Sequence, residues 1–409
     1  MTDKDGVSAG LMASLAVAMG IGPLLIYGLT AMSPTIIDDL GLTRAQFGFF
    51  ATAAFLSAAV CSTVFGALVD RWSVVRTMSV LYGGAVLSLV VAALARSVTW
   101  LILAVIVSGA IQALSNPVTN RLIASHAAPD SRGTLVGVKQ SGVQMAQAFA
   151  GLAMPPLALL VTWRGSIAAG TLLALLGLGL TLRFLPSAET SGPAGAPEPD
   201  HPSARKTGGP VDLSSIPAVV WWLGGYAMLN GVAIQATNVY LPLYGYEELG
   251  ISRTVAGMLA TVVGIVGLFA RIWWGRTVGR AASPRIALIV LAVGATLGVT
   301  AILLADYLAD WLVWVGAALF GASGIAANVV LMVTVVRAVQ PRFVGRATGV
   351  LSLGLYLGFS VGPVSFGALV DATRYPVGWM CVLGIYVLTV VLAVSRKRFL
   401  PEPSEAPGP

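Results

Sequence analysis

The chain has little of what a water-soluble protein is made of. Asp, Glu, Lys and Arg make up only 10% of its 409 residues, against about 25% in soluble domains. It has two cysteines, Cys61 and Cys381, and both fall in apolar segments, so no disulfide framework is expected. It has two histidines, His126 near a loop and His201 in a polar stretch. The sequence shows no His/Cys/carboxylate cluster with metal-ligand spacing, no nucleophile beside a base, and no phosphate-binding loop ending in Lys-Ser or Lys-Thr. These absences speak against an enzyme, a metal centre, a cofactor and an ATP-driven pump. Acids are scarcest where they would matter most. All 17 fall in a loop, a tail or a helix end.

What fills the chain instead is apolar: 57% of residues are hydrophobic, with a mean hydropathy of +0.86. This composition implies an all-α polytopic membrane protein whose main surroundings are a lipid bilayer. The net charge of +7 is then read as cationic loops rather than a nucleic-acid surface. A span needs ~20 apolar residues. Twelve segments qualify: 11–36, 45–69, 77–95, 99–121, 133–161, 165–185, 216–243, 253–276, 284–305, 311–337, 344–370 and 376–396. The first is long enough to be a helix that stays rather than a cleaved signal. Residues 187–215 are rich in Pro, Gly and Ser and are expected to form a disordered linker. The expected organisation is a six-helix bundle over residues 1–186, the linker over 187–215, a second bundle over 216–396, and a tail over 397–409.

Orientation follows from the loop cations. With the termini and linker on one side, that side holds 17 Lys and Arg, the other holds five, and Lys139 and Arg271 lie within spans. Both termini are therefore expected in the cytoplasm. The halves also repeat. Residues 40–48 align with 249–257 at an offset of 209, while Asn116 with Asn328 and Gly137 with Gly349 share an offset of 212. Parallel repeats of this kind are one architecture of secondary transporters, with the substrate site between the halves near midplane.

Arg271 and Lys139 are the anomalies. Arginine cannot shed its charge, and an ionised side chain inside a span faces a cavity, a partner or a ligand. Alternatively, each snorkels to the headgroups: Arg271 lies five residues from Arg276, and Lys139 seven from Arg132. No embedded carboxylate neutralises either one. A cavity holding them would lack an anion, and an anionic substrate would supply it. Gln140, Gln144 and Gln147 make the helix of Lys139 unusually polar. Asn116, Asn120, Asn230, Gln235, Asn238 and Asn328 add amides in neighbouring spans. Tyr27, Tyr240, Tyr244 and Tyr356 offer hydroxyls. Taken singly, each of these serves helix–helix hydrogen bonding as well as a pathway. Gly354, Gly358 and Gly362 form a ridge that close helix packing explains.

Gly66-Ala-Leu-Val-Asp70-Arg71-Trp-Ser-Val-Val-Arg76 resembles the loop motif of the major facilitator superfamily. A decayed second copy runs from Gly275 to Arg280, with Gly279 in place of the aspartate. The resemblance covers about residues 10–396 and implies twelve transmembrane helices in two pseudo-symmetric six-helix bundles, rocking about a midplane site. It assigns Gly66, Asp70, Arg71, Arg76 and Arg132 to a conformational latch. Within the superfamily, Ala270-Arg271-Ile-Trp-Trp-Gly275 resembles span eight of the monocarboxylate and oxalate/formate porters. There an arginine four residues before the motif glycine binds the substrate carboxylate, which implies that role for Arg271. Departures are Gly267, where monocarboxylate porters often carry an acid, the lack of a first-span lysine, and Leu351 at the span-eleven position repeat-related to Lys139, while the oxalate-type porter has its lysine in span eleven. The drug/proton antiporter signature is absent from span five.

The expected function is therefore secondary or facilitative transport of a small, monocarboxylate-like organic anion, with or without a co-transported proton. The setting is the bacterial inner membrane and the expected state a monomer. Arg271 would bind the carboxylate, with Lys139 binding it or adding positive potential. Asn116, Gln140, Asn238, Tyr240, Asn328 and Tyr356 would line the cavity. The rivals are an exporter of hydrophobic or cationic compounds and a non-transporting sensor.

Overall fold

A computed structural model describes residues 8–126, 132–185, 217–280, 283–339 and 344–395. The first half comprises α1 (Ala9–Ala31), α2 (Ser33–Leu40), α3 (Arg44–Arg71), α4 (Val74–Ala93), α5 (Val98–His126) and α6 (Arg132–Phe184). The second comprises α7 (Ala218–Glu247), α8 (Arg253–Arg280), α9 (Pro284–Ala305), α10 (Leu312–Phe320), α11 (Ala327–Ala338), α12 (Val344–Ala372) and α13 (Tyr375–Ser395). The linker and C-terminal tail expected from composition lie outside the described residues.

Among the described residues, ten helices are long and apolar enough to cross a membrane. One of them makes two passes: α6 breaks at Val161 and Thr162, where Thr162 takes a φ of 67°. The sequence expectation of separate spans over 133–161 and 165–185 accords with that break. The 30-residue α7 completes the twelve; Asn230, Gln235 and Asn238 dilute its hydropathy. The expected first span is divided, because α1 stops at Ala31 and Pro34 opens the short α2. The tenth is divided by a π-helical turn, Gly321–Ile325, between α10 and α11.

Each bundle is held by close backbone approach. A Cβ on Gly142 of α6 would collide with the Ala16 carbonyl of α1. Along α12, a Cβ on Gly354, Gly358 or Gly362 would collide with the carbonyls of Gly224, Met228 or Val232 on α7. Without a hydrophobic driving force between helices in lipid, such small-residue contacts carry the packing.

The two bundles meet mainly along α3 with α12 and α6 with α8. At one end lie Asp38, Asp39, Glu247 and Asp371; we call it the acidic face. At the other, the linker face, α6 ends and α7 begins. Near the acidic face α3 and α12 are in contact: Thr52 donates to the Ser360 carbonyl at 2.5 Å, and Phe55 packs edge-on to Phe359 at 5.0 Å. Toward the linker face α5 and α12, with Ser62 of α3, line a partly open cavity of about 450 Å³. The molecule is shut at one face and hollow toward the other.

Candidate functional site: a polar seam between the bundles

Arg271 lies on the inner side of α8. Phe269 and Trp273, two residues to either side and so on a roughly opposite face of the helix, point outward at 66% and 58% exposure. The Arg271 guanidinium does not run to the headgroups. Its Nη1 donates to Gln144 Oε1 at 2.8 Å and its Nε to the Ile325 carbonyl at 3.3 Å. Gln144 belongs to α6, so this bond joins the two bundles. The side chain keeps some accessible surface. Among the described residues no carboxylate pairs with it; the four described ion pairs all lie at the acidic face.

The π-helical turn prepares this site. A π turn shifts the helical hydrogen-bond register, and two of its carbonyls are taken by side chains. Ile325 O accepts from Arg271, and Gly324 O accepts from Asn230 Nδ2 at 3.4 Å. Asn230 also donates to Asn328 Oδ1 at 3.4 Å. Gly267, one turn before Arg271, faces the same turn. A Cβ there would stand 3.1 Å from Ile325 Cγ2 and 3.4 Å from the Gly321 carbonyl. A side chain at that position would have to push Ile325 aside by a few tenths of an ångström.

Lys139 is fully buried between α5 and α6. Its Nζ donates to Thr119 Oγ1 at 2.7 Å and to Asn116 Oδ1 at 3.3 Å. Gln140 Nε2 reaches the same Asn116 oxygen at 2.8 Å. Lys139, Gln140 and Asn116 thus form one cluster within the first bundle. Asn116 faces the cavity together with Ser62, Gln112, Ser352 and Tyr356. That wall offers hydroxyls and amides and no charged side chain.

Higher in the seam, Gln147 Nε2 donates to Asn238 Oδ1 at 3.1 Å, again joining α6 to the second bundle, and Asn238 Nδ2 donates to Gln235 Oε1 at 3.0 Å. Tyr240 lies elsewhere. Its ring stacks on Phe366 at 4.8 Å and its hydroxyl donates to the Arg44 carbonyl at 2.6 Å. It belongs to the closed acidic face, not to the cavity.

The closure of that face is built from both halves. Arg44 pairs with Glu247 at 2.8 Å and with Asp371 at 3.5 Å. The Asp371 carboxylate also accepts the backbone N–H groups of Arg44 and Ala45, at 3.2 and 2.8 Å. These groups open α3, where a carboxylate suits both the orphan donors and the helix dipole. Arg253 pairs with Asp38. Within the first half, Asp39 accepts from Trp163 Nε1 at 3.1 Å and Arg164 Nη1 at 2.8 Å. The Trp163 hydrogen bond first, and the Arg164 contacts after it, hold the Asp39 carboxyl below its usual range. Burial and the nearby Asp306 push Glu248 the other way.

Of the residues assigned to a latch, the side chains of Gly66, Asp70 and Arg132 lie outside the described residues. Arg71 is exposed, and Arg76 sits over the Trp72 ring at 4.4 Å. What visibly holds the end of α3 is Arg121, whose Nη1 donates to the carbonyls of Val69 and Trp72 at 2.9 and 3.0 Å. The second half repeats this device: Arg337 Nη1 donates to the Val278 carbonyl at 2.8 Å.

From sequence, Gln144 and Gln147 stand out only as polar residues of the Lys139 helix, without partners, and Arg44 only as a loop cation. The three glutamines at 140, 144 and 147 share helical spacing, and that spacing was the available signal. Nothing in the sequence pairs Gln144 with Arg271.

Twelve passes in two repeated bundles, meeting along a polar seam and shut at one face, define a multi-pass membrane transporter fold. The family model of the Major Facilitator Superfamily matches residues 7–363 and 223–409. The chain belongs to that superfamily. An uncharacterised transporter of the superfamily from Mycobacterium tuberculosis is 23% identical over 408 residues, covering 98% of this chain and 87% of that protein. Among solved structures, a D-xylose–proton symporter aligns with a TM-score of 0.74 at 18% identity, over 97% of this chain and 99% of its own. The nucleoside transporter NupG gives 0.69 at 15%, over 95% and 99%. A bacterial homologue of the human lysosomal transporter Spinster gives 0.72 at 16%, over 95% and 96%. At these identities the likeness is one of fold.

Proposed function

We propose that the protein carries a small organic anion, monocarboxylate-like, across the bacterial inner membrane by alternating access, as a monomer with termini and linker in the cytoplasm. The observation that carries this reading is the Arg271–Gln144 contact: a permanent cation in the seam between the bundles, with a neutral partner and no described carboxylate to balance it. A guanidinium pairs with a carboxylate through two parallel bonds, strongly in a dry site. An arriving anion competes with Gln144 for Arg271, and Gln144 is held by the opposite bundle. Binding therefore acts on the contact that joins the halves, residues 1–186 and 216–396. Lys139 adds positive potential from behind Asn116. In this assignment the acidic face is outward and closed, and the cavity between Asn116 and Tyr356 opens to the cytoplasm. Coupling to a proton is compatible with the site but not required by it.

One observation favours a rival. The cavity wall is neutral and hydroxyl-rich, which suits an uncharged polar solute of the kind named for the xylose and nucleoside neighbours. A thermal-shift series on the purified protein separates the two. Short carboxylates should stabilise it, and Arg271→Gln should remove the effect. Stabilisation by sugars or nucleosides alone, untouched by Arg271→Gln, would reject the anion reading.

A further inference from the structure

The seam holds a second recognition element beside Arg271. Gln147, Asn238 and Gln235 are buried at 1%, 6% and 3% exposure. Their amides form a directional chain: Gln147 N–H to Asn238 oxygen, then Asn238 N–H to Gln235 oxygen. Asn238 uses its oxygen toward Gln147 and its nitrogen toward Gln235, and in this arrangement the Gln147 amide nitrogen faces Asn238. Among the described residues, the buried Gln147 Oε1 atom has no hydrogen-bond partner. Buried acceptors are rarely left unpaired, and each one calls for an explanation. Gln147 also lies three residues, about one turn, from Gln144 on the same face of α6. Gln144 is the residue that touches Arg271.

We propose that Gln147 is a specificity-determining residue of the transport site: its Oε1 accepts a hydrogen bond from an O–H or N–H group on the transported anion. This rests on the anion reading and narrows it. The substrate carries a negative charge for Arg271 and a hydrogen-bond donor about 5 Å away, one helical turn along α6. The residue that takes the donor is itself bound to the opposite bundle through Asn238. Recognition of that donor therefore engages the second contact between the halves, as the charge engages the first. A plain aliphatic carboxylate would leave the acceptor unmet.

The test uses the full chain in detergent and three ligands: butyrate, 3-hydroxybutyrate and 4-hydroxybutyrate. Affinities are read from thermal-shift titrations. In the wild type at least one hydroxy acid should bind about fivefold tighter than butyrate, the effect of one neutral hydrogen bond. In Gln147→Leu the ratio of hydroxy acid to butyrate should fall to about one. Equal affinities for all three acids in the wild type would overturn the proposal while leaving the anion reading intact, as would a hydroxyl preference that persists in Gln147→Leu. The wild-type comparison decides even where the variant does not fold. Failure of all three acids to bind would sink the anion reading and this inference with it.

Discussion

At the scale of single residues, the central fact is the contrast between two interior cations. Lys139 is sealed between two helices of one bundle, its amine shared by Thr119 and Asn116. Arg271 retains accessible surface and reaches across to the other bundle. In the proposed reading the first would act on a ligand through its field, and the second by contact. Arg271→Lys keeps the charge but loses the planar fork. Carboxylate affinity should fall about tenfold, against complete loss in Arg271→Gln, both read by thermal shift; equal affinity in Arg271→Lys would show that only charge matters. Asp39, outside the spans, gives a pH prediction. Its carboxyl is held below its usual range, so the Trp163 and Arg164 contacts stabilise the fold above about pH 4 and lose that contribution as pH falls through the lowered value. The side chain is largely solvated, so the effect is small. Melting curves of wild type and Asp39→Asn should differ at pH 7 and converge in acid, once the pH has fallen through the lowered value. A difference that persists in acid would show that the carboxylate is not its source.

At the scale of helices, the spans were legible because bilayer thickness demands long apolar runs. The break at Val161–Thr162 was legible because Thr162, Trp163 and Arg164 interrupt one. The π turn was not legible. Gly321–Ile325 lies inside one long apolar run, and its carbonyls are taken by side chains far along the chain, Asn230 and Arg271. The glycine ridge of α12 reads as packing from the sequence, and it lies on the α7 backbone carbonyls. Gly358→Leu should cost about 1–3 kcal/mol, seen as a lower melting temperature in detergent; an unchanged value would mean that α7 and α12 have slack. The seam between bundles is built the same way. A Cβ on Gly257 would meet Pro155 Cγ at 2.5 Å, and one on Gly264 would meet the Gln144 carbonyl at 2.9 Å. Gly264→Val should therefore wedge α8 from α6 on the acidic side of the seam and leave each bundle folded. Labelling of cysteines introduced beside residue 264 should rise several-fold, and no rise would mean that the wedge is absorbed within a bundle.

For the whole molecule, the proposed alternating-access cycle has two states that differ in which face is shut. Here the closing contacts join the halves at the acidic face through Arg44, Glu247, Asp371, Arg253 and Asp38. Each exposed pair contributes under about 1 kcal/mol. Asp371 does more than pair, since it also accepts two backbone N–H groups at the start of α3. Asp371→Asn should shift the population toward the state open at that face. Distances between spin labels at the acidic-face ends of α3 and α12 should lengthen, and an unchanged distribution would place the lock elsewhere. The overall architecture was legible from the twelve apolar runs and the half-to-half repeat. The lock was not, because pairing residue 44 with residue 371 depends on how the bundles lean together.

The most direct measurement is counterflow in proteoliposomes preloaded with a short carboxylate. Wild-type protein should accumulate the labelled acid, unlabelled carboxylates should compete with it, and Arg271→Gln should abolish the flux at equal incorporation. Wild-type flux of a neutral sugar that carboxylates do not inhibit, undiminished in Arg271→Gln, would contradict the account.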